Sequence, residues 1–132
     1  MILVDTSVLV NFFKGITNKQ VIKLENAIKD KIPFGINNLI YQELLQGARS
    51  EKEFDLLKEY LSTQRFYDLK NAKESYEAAA KNYFYCRKNG ITVRSTIDML
   101  ILQTAMENNL YLLHDDRDFS NIAKILTDLK EY

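Results

Sequence analysis

Two short apolar runs mark the chain: Ile2-Leu3-Val4, which ends at Asp5, and Leu110-Tyr111-Leu112-Leu113, which leads into Asp115-Asp116-Arg117-Asp118. Short continuous apolar runs closed by polar residues predict strands buried on both faces. Weaker strand signals lie at Phe34-Gly35-Ile36, near Arg65-Phe66-Tyr67 and at Ile125 to Leu126. Between them the apolar spacing changes to a period of about 3.6, which predicts helices over Ser7–Lys14, Lys19–Lys29, Asn38–Ala48, Glu51–Leu61, Ala72–Lys88 and Thr96–Asn108. In the fourth of these, Phe54, Leu57 and Leu61 share one face, while Glu51, Lys52, Asp55, Lys58 and Glu59 take the others and face water. Strands alternating with helices predict an α/β fold, a central parallel β-sheet flanked by helices and wound with right-handed crossovers. Chemistry in such folds gathers beyond the C-terminal ends of the strands, where Asp5 and the second acidic group stand.

A length of 132 residues with 46% apolar content predicts a single domain over 1–132. Folding at this size hides roughly two thirds of the chain's surface, so the core needs neither metal nor disulfide and any bound metal serves function. Eighteen basic side chains balance eighteen acidic ones. The whole-molecule field therefore argues for no nucleic-acid or membrane partner, and local charge must carry that argument. The lone Cys86 forbids an internal disulfide, and no run approaches the roughly 18 apolar residues that cross a bilayer. The expectation is a cytoplasmic protein with no membrane association. Met1 to Phe13 lacks a basic leader and is interrupted by Asp5 and Asn11, so it reads as mature sequence.

Four acids from separated segments carry the chemistry, and each also has an ordinary structural reading. Asp5 precedes a helix and is a good N-cap. Asp98 closes Ser95-Thr96-Ile97-Asp98, which matches a capping box at the head of an almost wholly apolar helix. Glu43 sits in mid-helix, where a solvated glutamate is commonplace, although small Gly47 one turn on leaves room for a ligand. Asp115, Asp116 and Asp118 suit an exposed acidic turn. Jointly, carboxylates converging at one sheet edge raise one another's pKa, and a divalent cation removes the conflict. Oxygen ligands with no Cys or His cluster select Mg²⁺ or Mn²⁺, and such a site suits phosphoryl chemistry by a metal-activated water.

Other chemistries are poorly supplied. His114 is the only histidine and stands beside the acids, so it reads as structural or as a support to the metal ligands. Cys86 reads as a small hydrophobe on an amphipathic helix, and no glycine-rich phosphate loop is present. Ala78 to Ile97 contains no acid but carries Lys81, Arg87, Lys88 and Arg94 interleaved with Tyr83, Phe84 and Tyr85. Phosphate contacts and base stacking there would serve RNA; a solvated helix with its aromatics inside is the alternative.

The run from Met1 to Leu9 with Asp5-Thr6-Ser7, Glu43 to Ala48, Arg94 to Asp98 with Ile101 and Ala105, and Leu112 to Phe119 together resemble the PIN-domain ribonucleases, specifically the VapC-type toxins of toxin-antitoxin pairs. The resemblance implies a PIN-like fold with Asp5, Glu43, Asp98 and Asp116 as the quartet that holds Mg²⁺ or Mn²⁺. It implies endoribonuclease action leaving a 5′-phosphate and a 3′-hydroxyl, Thr6 or Ser7 positioning Asp5, and Asp118 orienting the surroundings or a second metal. A homodimer and a cognate antitoxin, whose C-terminal segment lies in a groove, are implied as well. His114 stands where relatives commonly carry a small hydroxyl residue. The extra Asp115 leaves two acids competing for one role, and the spacing to Asp118-Phe119 favours Asp116. An aspartyl-phosphate phosphatase would need a second Asp where Ser7 stands, and a receiver domain would need an acid pair near its first strand and a late lysine. A non-catalytic RNA- or protein-binding module, its acids serving only as caps, is the rival from another class.

Overall fold

A computed structural model describes the whole chain, Met1–Tyr132. Five parallel strands form one sheet: β1 (Ile2–Val4), β2 (Phe34–Ile36), β3 (Arg65–Phe66), β4 (Tyr111–Leu113) and β5 (Lys130–Glu131). Their order across the sheet is β3-β2-β1-β4-β5. The connections carry α1 (Thr6–Phe13), α2 (Lys19–Lys29), α3 (Asn38–Gln46), α4 (Glu51–Ser62), α5 (Lys73–Lys88), α6 (Thr96–Glu107) and α7 (Arg117–Ala123).

The first strand is central. Ile2 pairs with both Phe34 and Tyr111, Leu3 with both Gly35 and Leu112, and Val4 with Leu113. All three β1 side chains are fully buried, which requires cover on both faces and explains why the run is apolar without alternation. Burying each contributes about 1.5–3 kcal/mol. The core continues through Leu112 and Leu113, Ile40 and Leu44 of α3, Met99, Ile101, Leu102 and Ala105 of α6, and Phe119 and Ile122 of α7. Gly35 has a specific cause: a Cβ there would overlap the Arg65 carbonyl oxygen of β3. From β1 the chain builds β2 and β3 to one side and then returns to build β4 and β5 on the other. The order therefore reverses between β1 and β4, the place where open parallel sheets leave a crevice at their carboxyl ends.

Two expectations are corrected and one element is added. No strand forms at Ile125 to Leu126: both backbone N–H groups bond to the Ile122 carbonyl, continuing the turn after α7, and the edge strand lies at Lys130–Glu131. Helix α7 was not predicted, because only Phe119 and Ile122 of its seven residues are buried. On α4, Leu61 is buried and Leu57 half-buried, but Phe54 is exposed, so this helix docks mainly by its C-terminal end.

Candidate functional site

At the reversal point the chain leaves β1 through Asp5 and β4 through His114 to Asp116. Asp5 N–H donates to the Leu113 carbonyl at 2.9 Å, which holds the two exits together. Asp5 caps α1: its Oδ2 accepts the Ser7 N–H at 3.0 Å and the Ser7 hydroxyl at 2.6 Å. The same hydroxyl oxygen accepts the Asp115 N–H at 2.9 Å and so ties the α1 cap to the turn after β4. Asp116 caps α7, its Oδ1 accepting the Asp118 N–H at 2.9 Å. For both residues, capping and placement at the site are one arrangement.

Asp98 behaves differently. It lies in the first turn of α6, yet Ser95 makes no side-chain capping bond, so the capping box does not form. Carboxylate oxygens of Asp98, Asp116 and Asp118 all lie within 4.8 Å of one another. Burial, followed by the negative charges of Asp5, Asp116, Glu43 and Asp118, pushes the Asp98 carboxyl up to about 7, and no hydrogen bond opposes the shift. Glu43, half-buried on α3, accepts the Thr6 hydroxyl at 3.0 Å. Its pKa is raised by burial, with Thr6 opposing and the charge of Asp5 adding. Asp5, buried, is also raised by burial against the bonds from Ser7. Asp98, Asp116 and Asp118 thus form a close trio, while Asp5 and Glu43 stand outside it and act on Asp98 by charge.

One cation answers them. Arg94 clasps Asp118 through Nε and Nη2, each at 3.1 Å, from an exposed loop position. Its pairing with an acid of the group was not anticipated from its place in the basic stretch. Asp115 is exposed and directed to Asn18 at 3.5 Å, outside the trio that includes Asp116. His114 is buried, with Nδ1 accepting the Asp116 N–H at 3.1 Å and Nε2 lying 2.8 Å from Glu131 Oε1. Sequence reading missed Glu131, which comes from a two-residue exposed strand with no apolar signal. Thr6 bonds Glu43 and Ser7 bonds Asp5, so the two hydroxyls serve different acids.

Arg87 and Lys88 lie at the C-terminal end of α5 and form no ion pair with the acids. The Arg87 guanidinium rests 5.7 Å from the Tyr83 ring centre and 5.9 Å from that of Phe84. Phe84 and Tyr85 are exposed, while Cys86 between these groups is fully buried. Two of the three aromatics therefore face solvent, and Tyr83 packs half-buried against the core.

Oxygen donors clustered with a single cation among them fit a hard divalent ion. Residues 2–125 match the model of the PIN domain. The chain belongs to the PIN-domain family. Within it, the chain is 29% identical over 126 residues to a VapC ribonuclease of Mycobacterium bovis and, to the same extent, to the ribonuclease VapC11 of Mycobacterium tuberculosis, covering 95% of this chain and 93% of each relative. By structure it is similar to VapBC2 of Rickettsia felis, solved bound to a promoter DNA fragment, with a TM-score of 0.76, 17% identity and coverage of 100% and 98% of the two chains. It is similar also to DNA-bound VapBC of Salmonella typhimurium, with a TM-score of 0.75, 15% identity and coverage of 99% and 96%. The PIN domain's acidic group thus sits on a fold shared with these assemblies. No helix of the domain is long and apolar enough to cross a membrane.

Proposed function

We propose that this PIN domain is the toxin of a type II toxin-antitoxin pair, an endoribonuclease that hydrolyses RNA phosphodiester bonds with Mg²⁺ or Mn²⁺ as cofactor. The observation that carries the reading is the trio of Asp98, Asp116 and Asp118, whose carboxylate oxygens lie within 4.8 Å of one another while Asp98 accepts no hydrogen bond from the protein. A structural carboxylate is ordinarily held by donors, whereas Asp98 stands half-buried beside other acids. Its mycobacterial relatives, both named as ribonucleases, support the activity, and the toxin-antitoxin assemblies among its structural neighbours support the partner.

Asp5, Glu43, Asp98 and Asp116 would hold the ion, with Asp118 beside Asp98 and Asp116. A bound divalent cation lowers the pKa of water and stabilises the departing oxygen of the cleaved bond. Ser7 fixes the Asp5 oxygen and Thr6 the Glu43 oxygen, so neither acid has to be reoriented when the ion arrives. Arg94 holds Asp118 at the rim and, with Arg87 and Lys88, meets the RNA backbone; exposed Tyr85 and Phe84 offer stacking faces. The protein works in the cytoplasm as a homodimer restrained by its antitoxin. The Asp5→Asn variant tests the reading: Asn also caps helices, so folding is retained while cleavage of RNA is lost. Full cleavage by that purified variant, or cleavage indifferent to chelator, sinks the proposal. Sequencing of RNA ends after brief expression, against the same variant, identifies the target.

One observation favours a non-catalytic module: Asp5 and Asp116 do cap their helices. Calorimetry with Mn²⁺ separates the readings. Caps alone give no stoichiometric binding, whereas the nuclease reading requires it.

A further inference from the structure

We infer that Glu131, on the edge strand β5, is a positioning residue for Asp116 and acts through the tautomer of His114. The inference rests on the reading of Asp116 as a metal ligand. A backbone amide can only donate, so the 3.1 Å contact from Asp116 N–H leaves His114 Nδ1 without a proton. The ring proton is then on Nε2, where it donates to Glu131 Oε1 at 2.8 Å. Glu131 Oε1 also accepts the Ser120 hydroxyl at 2.8 Å, and Ser120 belongs to α7, the helix that Asp116 caps. The imidazole packs against Phe119 in a tilted arrangement, ring centres 5.1 Å apart. The ring is therefore held at both nitrogens and by one aromatic neighbour.

The link has a direct consequence for the site. In the other tautomer Nδ1–H would meet Asp116 N–H donor to donor, and the turn that presents the Asp116 carboxylate would lose its inner bond. Glu131 selects the productive form from the far side of the ring. Partners one step removed from a ligand typically change metal affinity by 10–100-fold when lost. A backbone ladder holds Glu131 in place, since β5 pairs Glu131 with Leu112 and Tyr132 N–H donates to the Leu112 carbonyl at 3.0 Å.

Two measurements test this on the full chain. Nitrogen-15 NMR of the metal-free protein should report His114 as the Nε2–H tautomer, and as a mixture in Glu131→Ala. A protonated Nδ1 in the wild type overturns the inference with no metal or variant involved. In Mn²⁺ calorimetry, Glu131→Ala should weaken binding about tenfold or more, and Glu131→Gln, which keeps an acceptor oxygen, should restore it. In a His114→Asn background, where the Asn oxygen can accept the Asp116 N–H as in an Asx turn, Glu131→Ala should cost nothing further. Unchanged affinity in folded Glu131→Ala, or equal losses in the Ala and Gln variants, overturns the link while leaving the nuclease reading standing. Failure of the wild type to bind Mn²⁺ overturns the nuclease reading instead, and the NMR result then decides the Glu131 link by itself.

Discussion

Helix α6 carries an acid at each end, and the two could hardly be treated more differently. Glu107, in its last turn, accepts the Lys70 N–H and the Ser75 hydroxyl at 2.8 Å, the Gln103 amide at 2.9 Å and the Asn71 amide at 3.4 Å. Burial works against its charged form, but those donors outweigh it and hold the carboxyl below its ordinary value. Asp98, in the first turn, has no such donors and four negative neighbours, and it is pushed to about 7. A satisfied carboxylate stitches the loop before α5 to the helix. A half-exposed one with no donors from the protein is open to a ligand from outside, and the contrast separates structural acids from chemical ones more sharply than burial does.

The largest effect that can break this contrast is on activity. Asp98→Asn should lower RNA cleavage on the order of a thousand-fold, while Glu107→Ala leaves cleavage per folded molecule unchanged; single-turnover kinetics on a labelled RNA read both. Next comes stability, where the ranking reverses. Glu107→Ala strands several donors and should cost about 1–3 kcal/mol in urea unfolding, whereas Asp98→Asn removes a repelled charge and raises the melting temperature of the metal-free protein.

The pH dependence sharpens the same point. A carboxyl whose folded pKa lies above its unfolded value binds more protons when folded, so stability falls as pH rises from about 4 to about 7. Glu107, depressed, contributes stability above its unfolded pKa that is lost on acidification through the folded one. Melting curves in chelator should show the Asp98 decline, and Asp98→Asn should flatten it; added Mn²⁺ should reverse it. The smallest effect belongs to Arg94→Ala. Removing this exposed cation should tighten Mn²⁺ binding a few-fold at low salt, an effect fading as salt screens it, while weakening RNA binding.

Much of this was readable from the residues because the central strands declare themselves. Ile2 to Val4 and Leu110 to Leu113 are apolar without alternation since both faces are covered, and each leads to acids because strand ends open onto the crevice. The edges say less. β3 and β5 are two residues long, and β5 is exposed, so no burial shaped its composition. Asp98 was misleading in isolation, as its Ser-to-Asp spacing suits a capping box that Ser95 does not make. Arg94 looked like a free RNA contact because its acid partner, Asp118, lies on a different segment and only folding brings them together. Glu131 left no trace in any pattern, since its role depends on the single histidine that it meets.

The central position of β1 has a bearing on synthesis. Its partner β4 and the acids that follow are translated long after it, so the nascent chain holds half a crevice until they emerge. Late, sequence-distant pairing of this kind is slow to close. The acids of the crevice therefore come together only once β4 has paired with β1.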